Sequence, residues 1–282
     1  MYFDLDKIKE QVEQVYEEVL AFRRDLHMHP ELSEQEIQTE EKICSRLDAL
    51  QIPYQRGIAG HGVCAVIRGT TADRTVGIRA DIDALPVTEQ TGLAYASLNP
   101  GVMHACGHDM HTAILLGTAA VLKQNADTLP GTVKLFFQPS EETIGGAKQM
   151  IDAGCLEGPH VENVIALHVD PMTDLGKLKF TRGCMNVATT EMELTVRGKA
   201  CHGAHPDTGI DALPPACSIV AALQTIVSRN LAPTTPAVVT VGTFQSGTAK
   251  NVISGEAKLG GTIRALDLGV MAYLKERVQK IA

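Results

Sequence analysis

The chain has 282 residues, 44% of them hydrophobic and 21% charged, which is enough for two domains with cores of their own. Its net charge is −8 with no basic cluster, which argues against nucleic acid as a partner. No apolar run reaches the ~20 residues of a membrane span, the start Met1-Tyr2-Phe3-Asp4-Leu5-Asp6 lacks signal-peptide character, and seven cysteines without a C-x-x-C pair suit reduced thiols in a cytoplasmic protein.

Residues 4–26 are expected to form a helix, because Leu5, Ile8, Val12, Val15, Val19 and Phe22 recur at three- and four-residue steps. His29-Pro30 ends it, since the residue before proline is pushed out of the helical region. Ser33 followed by Glu36 reads as a capping box for a second helix carrying Ile37, Ile43, Leu47 and Leu50. Residues 57–62 read as a loop. Strands are expected at 63–67 and 76–80, a helix at 106–123, a strand at 132–138, a helix at 145–153 and a strand at 161–169. Such alternation implies right-handed crossovers and a parallel sheet covered on both faces. After Gly183 the pattern changes. Residues 188–197 alternate apolar and polar, as in a strand with one solvated face. A helix at 211–228, strands at 237–244 and 257–265, and a last helix capped by Asp267 follow. The order strand-helix-strand-strand-helix is most of a ferredoxin-like unit without its final strand. The expected fold class is α/β: a mostly parallel three-layer domain over residues 1–183, then an α+β domain over residues 184–282.

The stretch from His104 to Thr112 places three His, a Cys and an Asp within nine residues. Three predicted strands also end in polar groups: Asp81-Ile82-Asp83, Pro139-Ser140-Glu141-Glu142 and His168. Open parallel sheets bind ligands beyond the carboxyl ends of their strands. Two Asp, two Glu and a His should therefore converge there, joined by the Cys106/His108 turn. Each residue alone has a plainer account, as a turn former, a helix-start acid or a core histidine. Together they predict a cation site, because clustered carboxylates raise one another's pKa unless a cation lies between them. Thiolate, imidazole and carboxylate suit Zn²⁺ or a similar ion better than Mg²⁺ or Ca²⁺. A chain turn at Pro139 would let both glutamates reach the site. One would bind metal, while the other would hold a metal-bound water and act as its general base. His27 and His29, two apart on a helix, point in different directions and read as structural.

In chain order, R-A-D-I-D-A-L-P (79–86), M-H-A-C-G-H-D-M-H-T (103–112), F-Q-P-S-E-E (137–142) and A-L-H-V (166–169) resemble a known family. It is that of the zinc-dependent amidohydrolases grouped with hippurate hydrolase, N-acyl-amino-acid deacylase, N-acetyldiaminopimelate deacetylase and plant auxin-conjugate hydrolase. The segments R-R-D-L-H-M-H-P-E-L (23–32) and G-K-A-C-H-G-A-H-P (198–206) match too. The resemblance implies a catalytic domain with two divalent metal ions (zinc, or manganese, cobalt or nickel) and an inserted lid domain that makes a homodimer. It implies metal ligation by Cys106, His108, Glu142 and His168, with Glu141 as general base and Asp83 orienting that base. His202 of the lid would polarise the scissile carbonyl, often from the neighbouring subunit, and Asn251 and Arg264 would hold the substrate carboxylate. His104, Asp109 and His111 would support the ligands or start the helix. The implied activity is hydrolysis of the amide bond of N-acetyl or N-benzoyl type amino acids. A dipeptidase, or a non-catalytic metal-binding or dimerising fragment, is the alternative. Family members run on for roughly a hundred residues more, still within two-domain size. The chain is therefore expected to be truncated within the lid's second helix, lacking a last lid strand and a final metal-ligating His, with an exposed sheet edge.

Overall fold

The structure is a computed structural model that describes residues 4–71, 73–143 and 145–282; the first three residues of the acidic N-terminal stretch lie outside them. It divides into two compact units, Met1–Met172 and Thr173–Ala282. The division falls ahead of Gly183, and residues 173–187 form neither helix nor strand.

In the first unit, α1 (Leu5–Met28) is capped by Asp4, whose carboxylate accepts from the amides of Asp6 and Lys7, and it ends at His29. Helix α2 (Ile37–Ala49) follows. The expected Ser33/Glu36 capping box does not form: the helix start has no side-chain cap from Glu36, and both side chains turn away to partners far along the chain. Glu31 takes over the capping, its two oxygens accepting from the amides of Gln38 (3.1 Å) and Thr39 (2.8 Å).

Five strands form the central sheet: β1 (Tyr54–Ile58), β2 (Gly62–Arg68), β3 (Thr75–Asp81), β4 (Thr132–Gln138) and β5 (Asn163–Ala166), in the order β1-β2-β4-β3-β5. The loop expected at 57–62 contracts to a tight turn, because Gly57 and Ile58 belong to β1 and Gly62 opens β2. Polar Gln55 and Arg56 and a bulge hide this antiparallel edge strand from the period-two pattern. Strands β4, β3 and β5 are mutually parallel, and β2 and β1 extend the sheet antiparallel. Ala80 pairs with Phe137, and Arg79 with Ala166, so the carboxyl ends of the three parallel strands lie side by side. Helix α3 (His108–Gln124) packs with α2 on one face through Ile43, Leu47, Leu115, Leu116 and Ala119 against Val63, Leu135 and Phe137. Met150 of α4 (Gly146–Asp152) covers the other face with Cys64 and Phe136. This gives three layers.

In the second unit, β6 (Ala188–Arg197), β8 (Ala237–Ser246) and β10 (Glu256–Ala265) form an antiparallel sheet in the order β6-β10-β8, while β7 (Cys201–His202) and β9 (Val252–Ile253) pair separately. Helices α5 (Leu213–Asn230) and α6 (Leu268–Ile281) cover the larger sheet through Leu223, Ile226, Met271 and Leu274. Asp267 caps α6 by accepting from the Val270 amide at 2.8 Å. The third long strand lies between the first and second, as in a ferredoxin-like unit. Among the described residues, no helix is long and apolar enough to cross a membrane.

Candidate metal centre

The site assembles where β3, β4 and β5 end and α3 begins. Gly107, with φ +83°, turns the chain into α3. A Cβ there would collide with Val169, so the turn and the segment after β5 approach as only glycine permits. The helix begins at His108, later than expected, which leaves Cys106 on the preceding turn.

His108 is 1% exposed. Its Nδ1 donates to Asp83 Oδ1 at 3.1 Å, and its buried Nε2 has no hydrogen-bond partner among the described residues, with Asp81 Oδ2 at 3.6 Å and Glu142 Oε1 at 3.8 Å. An imidazole held by a carboxylate on one nitrogen and bare on the other is poised as a metal ligand. His168 has the same polarity: Nδ1 donates to the Val169 carbonyl at 2.7 Å, and Nε2 lies 3.4 Å from Cys106 Sγ. Cys106, His108 and His168 offer ligand atoms all within 4.8 Å of one another, and so do His108, Glu141 and Glu142. The two sets meet at His108.

A third cluster, Asp81, His108 and His111, also lies within that reach, but its Asp81 and His111 atoms are committed elsewhere. His111 Nε2 accepts from the Val169 amide (3.0 Å) and Nδ1 donates to Asp81 Oδ1 (2.5 Å), while Asp81 Oδ2 pairs with Arg79 at 2.7 Å. Burial pushes the Asp81 carboxyl up, but the hydrogen bond from His111 and the charges of His108 and Arg79 outweigh it and hold its pKa at about 2. His111 thus ties the segment after β5 to α3.

Asp83 has both oxygens engaged. Oδ1 accepts from His108 Nδ1, and Oδ2 accepts from Ser33 Oγ at 2.7 Å and from the Glu142 amide at 3.0 Å. It therefore reaches the glutamate pair through backbone. Burial and the neighbouring charge of Glu142 raise the Glu141 carboxyl above the usual carboxylate range. Burial, then the Glu142 charge, pushes the Cys106 thiol up to about 12, so only a nearby cation would make it a thiolate at neutral pH.

The other expected residues fall in the second unit. His202 on β7 pairs with Val252 on β9, and the Gly203 amide donates to the Asn251 carbonyl at 2.7 Å, so His202 and Asn251 are neighbours. Arg264 is on β10, opposite Thr189 and Val238. His202 Nδ1 accepts from the Ala204 amide at 3.1 Å, which leaves Nε2 as the donor of the neutral ring. Sequence reasoning missed Ser33 and Glu36 at the first unit's site, because their three-residue spacing fits a helix cap equally well. His111, expected to support the ligands or start the helix, sits in the first turn of α3 and bridges Asp81 and the Val169 amide.

The profile of peptidase family M20/M25/M40 matches residues 77–249. An N-acetyl-L-cysteine deacetylase of Bacillus subtilis is 41% identical over 260 residues, covering 92% of this chain and 62% of its own length. An N-acyl-L-amino acid amidohydrolase of Geobacillus stearothermophilus is 41% identical over 277 residues, covering 98% and 74%. The chain thus spans roughly two thirds of the curated relatives it matches. The crystal structure of a Bacillus subtilis protein described as a dinuclear metal binding peptidase of the M20 family superposes with a TM-score of 0.81 at 36% identity, covering 95% of this chain and 69% of that one.

Proposed function

The chain belongs to peptidase family M20/M25/M40, and from that premise we propose that the protein hydrolyses the amide bond of small N-acyl amino acids with two divalent cations. The observation that carries this reading is the buried Nε2 of His108, without a hydrogen-bond partner among the described residues and grouped with a thiol, an imidazole and two carboxylates. That donor set fits a borderline cation such as zinc, manganese, cobalt or nickel. Cys106, His108, Glu142 and His168 would hold the cations. When bound, the cations supply Lewis acidity: they lower the pKa of a water toward neutrality and polarise the acyl carbonyl.

The remaining work belongs to this chain's side chains. Glu141 takes the water's proton on a carboxylate oxygen and later delivers it to the leaving amine nitrogen. Asp83 fixes the His108 tautomer and, through the Glu142 amide, the backbone beside the base. We assign the lid role to the second unit. There His202 donates from Nε2 to the carbonyl oxygen, contributed across a homodimer, and Asn251 and Arg264 hold the substrate carboxylate. A cytoplasmic enzyme is proposed, in keeping with its seven free cysteines.

Metal content and turnover of N-acetyl and N-benzoyl amino acids and of dipeptides test the reading. Glu141→Gln should keep its metal and lose activity by about 10²–10⁴-fold. Full activity in that variant removes Glu141 from the role, and faster turnover of dipeptides than of acyl amino acids makes the protein a peptidase instead.

A further inference from the structure

Ser33 and Glu36 hold both acid-bearing turns of the site. Ser33 Oγ donates to Asp83 Oδ2 at 2.7 Å, beyond the end of β3. Glu36 Oε1 accepts from the Ser140 amide at 2.8 Å, beyond the end of β4. Between them the chain turns through Glu34 at φ +68°, and the Glu34 amide donates to Ser140 Oγ at 3.0 Å.

Ser140 itself stands at φ +52°. A residue with a Cβ holds that left-handed conformation only where its surroundings impose it. Here Glu36 holds its amide, the Glu34 amide holds its hydroxyl, and the Gly146 amide donates to its carbonyl at 3.1 Å. A Cβ on Gly146 would collide with the Pro139 carbonyl, so the turn is also closely packed. Glu141 and Glu142 follow at once, and Asp83 Oδ2 holds the Glu142 amide as well as Ser33. Glu36 is fully buried, and its second oxygen has no partner among the described residues. Such a carboxyl is costly to bury and has no part in capping α2. Its side-chain hydrogen bonds to other described residues go to Ser140.

We propose that Ser33 and Glu36 are positioning residues, a brace from the α1–α2 connection that aims Glu141, Glu142 and Asp83 into the metal centre. The effect on metal rests on the function proposed above, whereas the effect on the turn does not.

The test uses the full 282-residue chain and two measurements: residue-resolved amide hydrogen exchange and cobalt(II) affinity followed by absorption. Glu36→Leu should speed exchange at Ser140 about tenfold or more relative to β2 amides and weaken cobalt binding by about 10–100-fold. Glu36→Gln, which keeps an acceptor oxygen, should restore both to near wild type. Ser33→Ala should speed exchange at Glu142 and weaken cobalt binding in the same direction, and it decides the matter if Glu36→Leu does not fold. Wild-type exchange and cobalt affinity in the folded variants would overturn the brace. If the wild-type chain bound no cobalt, the metal reading would fail, and the exchange rates would still decide the brace.

Discussion

Asp83 shows how much can hang on one side chain. One of its oxygens fixes the His108 tautomer, and the other collects two donors from opposite directions. Asn at this position would turn an amide NH₂ toward a group that also donates. Asp83→Asn should therefore lower metal affinity about 10–100-fold while leaving the fold intact, as measured by titration calorimetry; unchanged affinity would show that His108 is oriented by something else. At this scale the chemistry was legible where residue type alone carries it. Cys106, His108, the Glu141-Glu142 pair and His168 are ligand-type groups at strand ends and a helix start, and the structure brings them together. Ser33 and Glu36 were not legible, because i, i+3 spacing satisfies a capping box locally while their true partners lie 50 and 104 residues away. Nothing in a sequence window distinguishes the two uses.

Among the elements, α1 is joined to α3 by a buried histidine. His27 Nδ1 lies 2.7 Å from Asp109 Oδ2, and its Nε2 lies 3.2 Å from Glu89 Oε1. Both ring nitrogens face carboxylates, which favours the imidazolium. Chiefly through the Asp109 hydrogen bond, and against burial and the Arg23 charge, the His27 pKa is raised. The stability this contributes is fully present below the ordinary value of about 6.5 and is lost as pH rises through the raised folded value. Thermal unfolding of the wild type should therefore move to lower temperature as pH climbs through that window. In His27→Gln the curve should be flatter there and lower at acidic pH; an unchanged pH profile would show that His27 is neutral in the fold. The structural reading of His27 from its spacing thus acquires a partner, since Asp109 sits beside the proposed ligand His108 at the start of α3. The edge strand β1 was the least legible element, because its exposed middle leaves little hydrophobic alternation to detect.

For the whole molecule, the two-unit division and the α/β order follow from where hydrophobic period and turn residues change. The pairing order β1-β2-β4-β3-β5 does not. It depends on which strand ends find each other, and that is a matter of long-range packing. The brace at Ser140 makes the point quantitative, because its contact with Glu36 closes a loop of 104 residues. Such closures are slow, and they come after local structure has formed. The proposed metal centre is then expected to form late in folding, after the rate-limiting barrier. A cation bound there acts as a latch on the finished state: it should slow unfolding in proportion to its mass-action stabilisation, about 4 kcal/mol at a thousand times its Kd, and leave the refolding rate unchanged. Stopped-flow refolding and unfolding with and without cobalt would read this directly. Refolding accelerated by the ion would mean that the ligands meet early and that the chain is organised around its metal from the start.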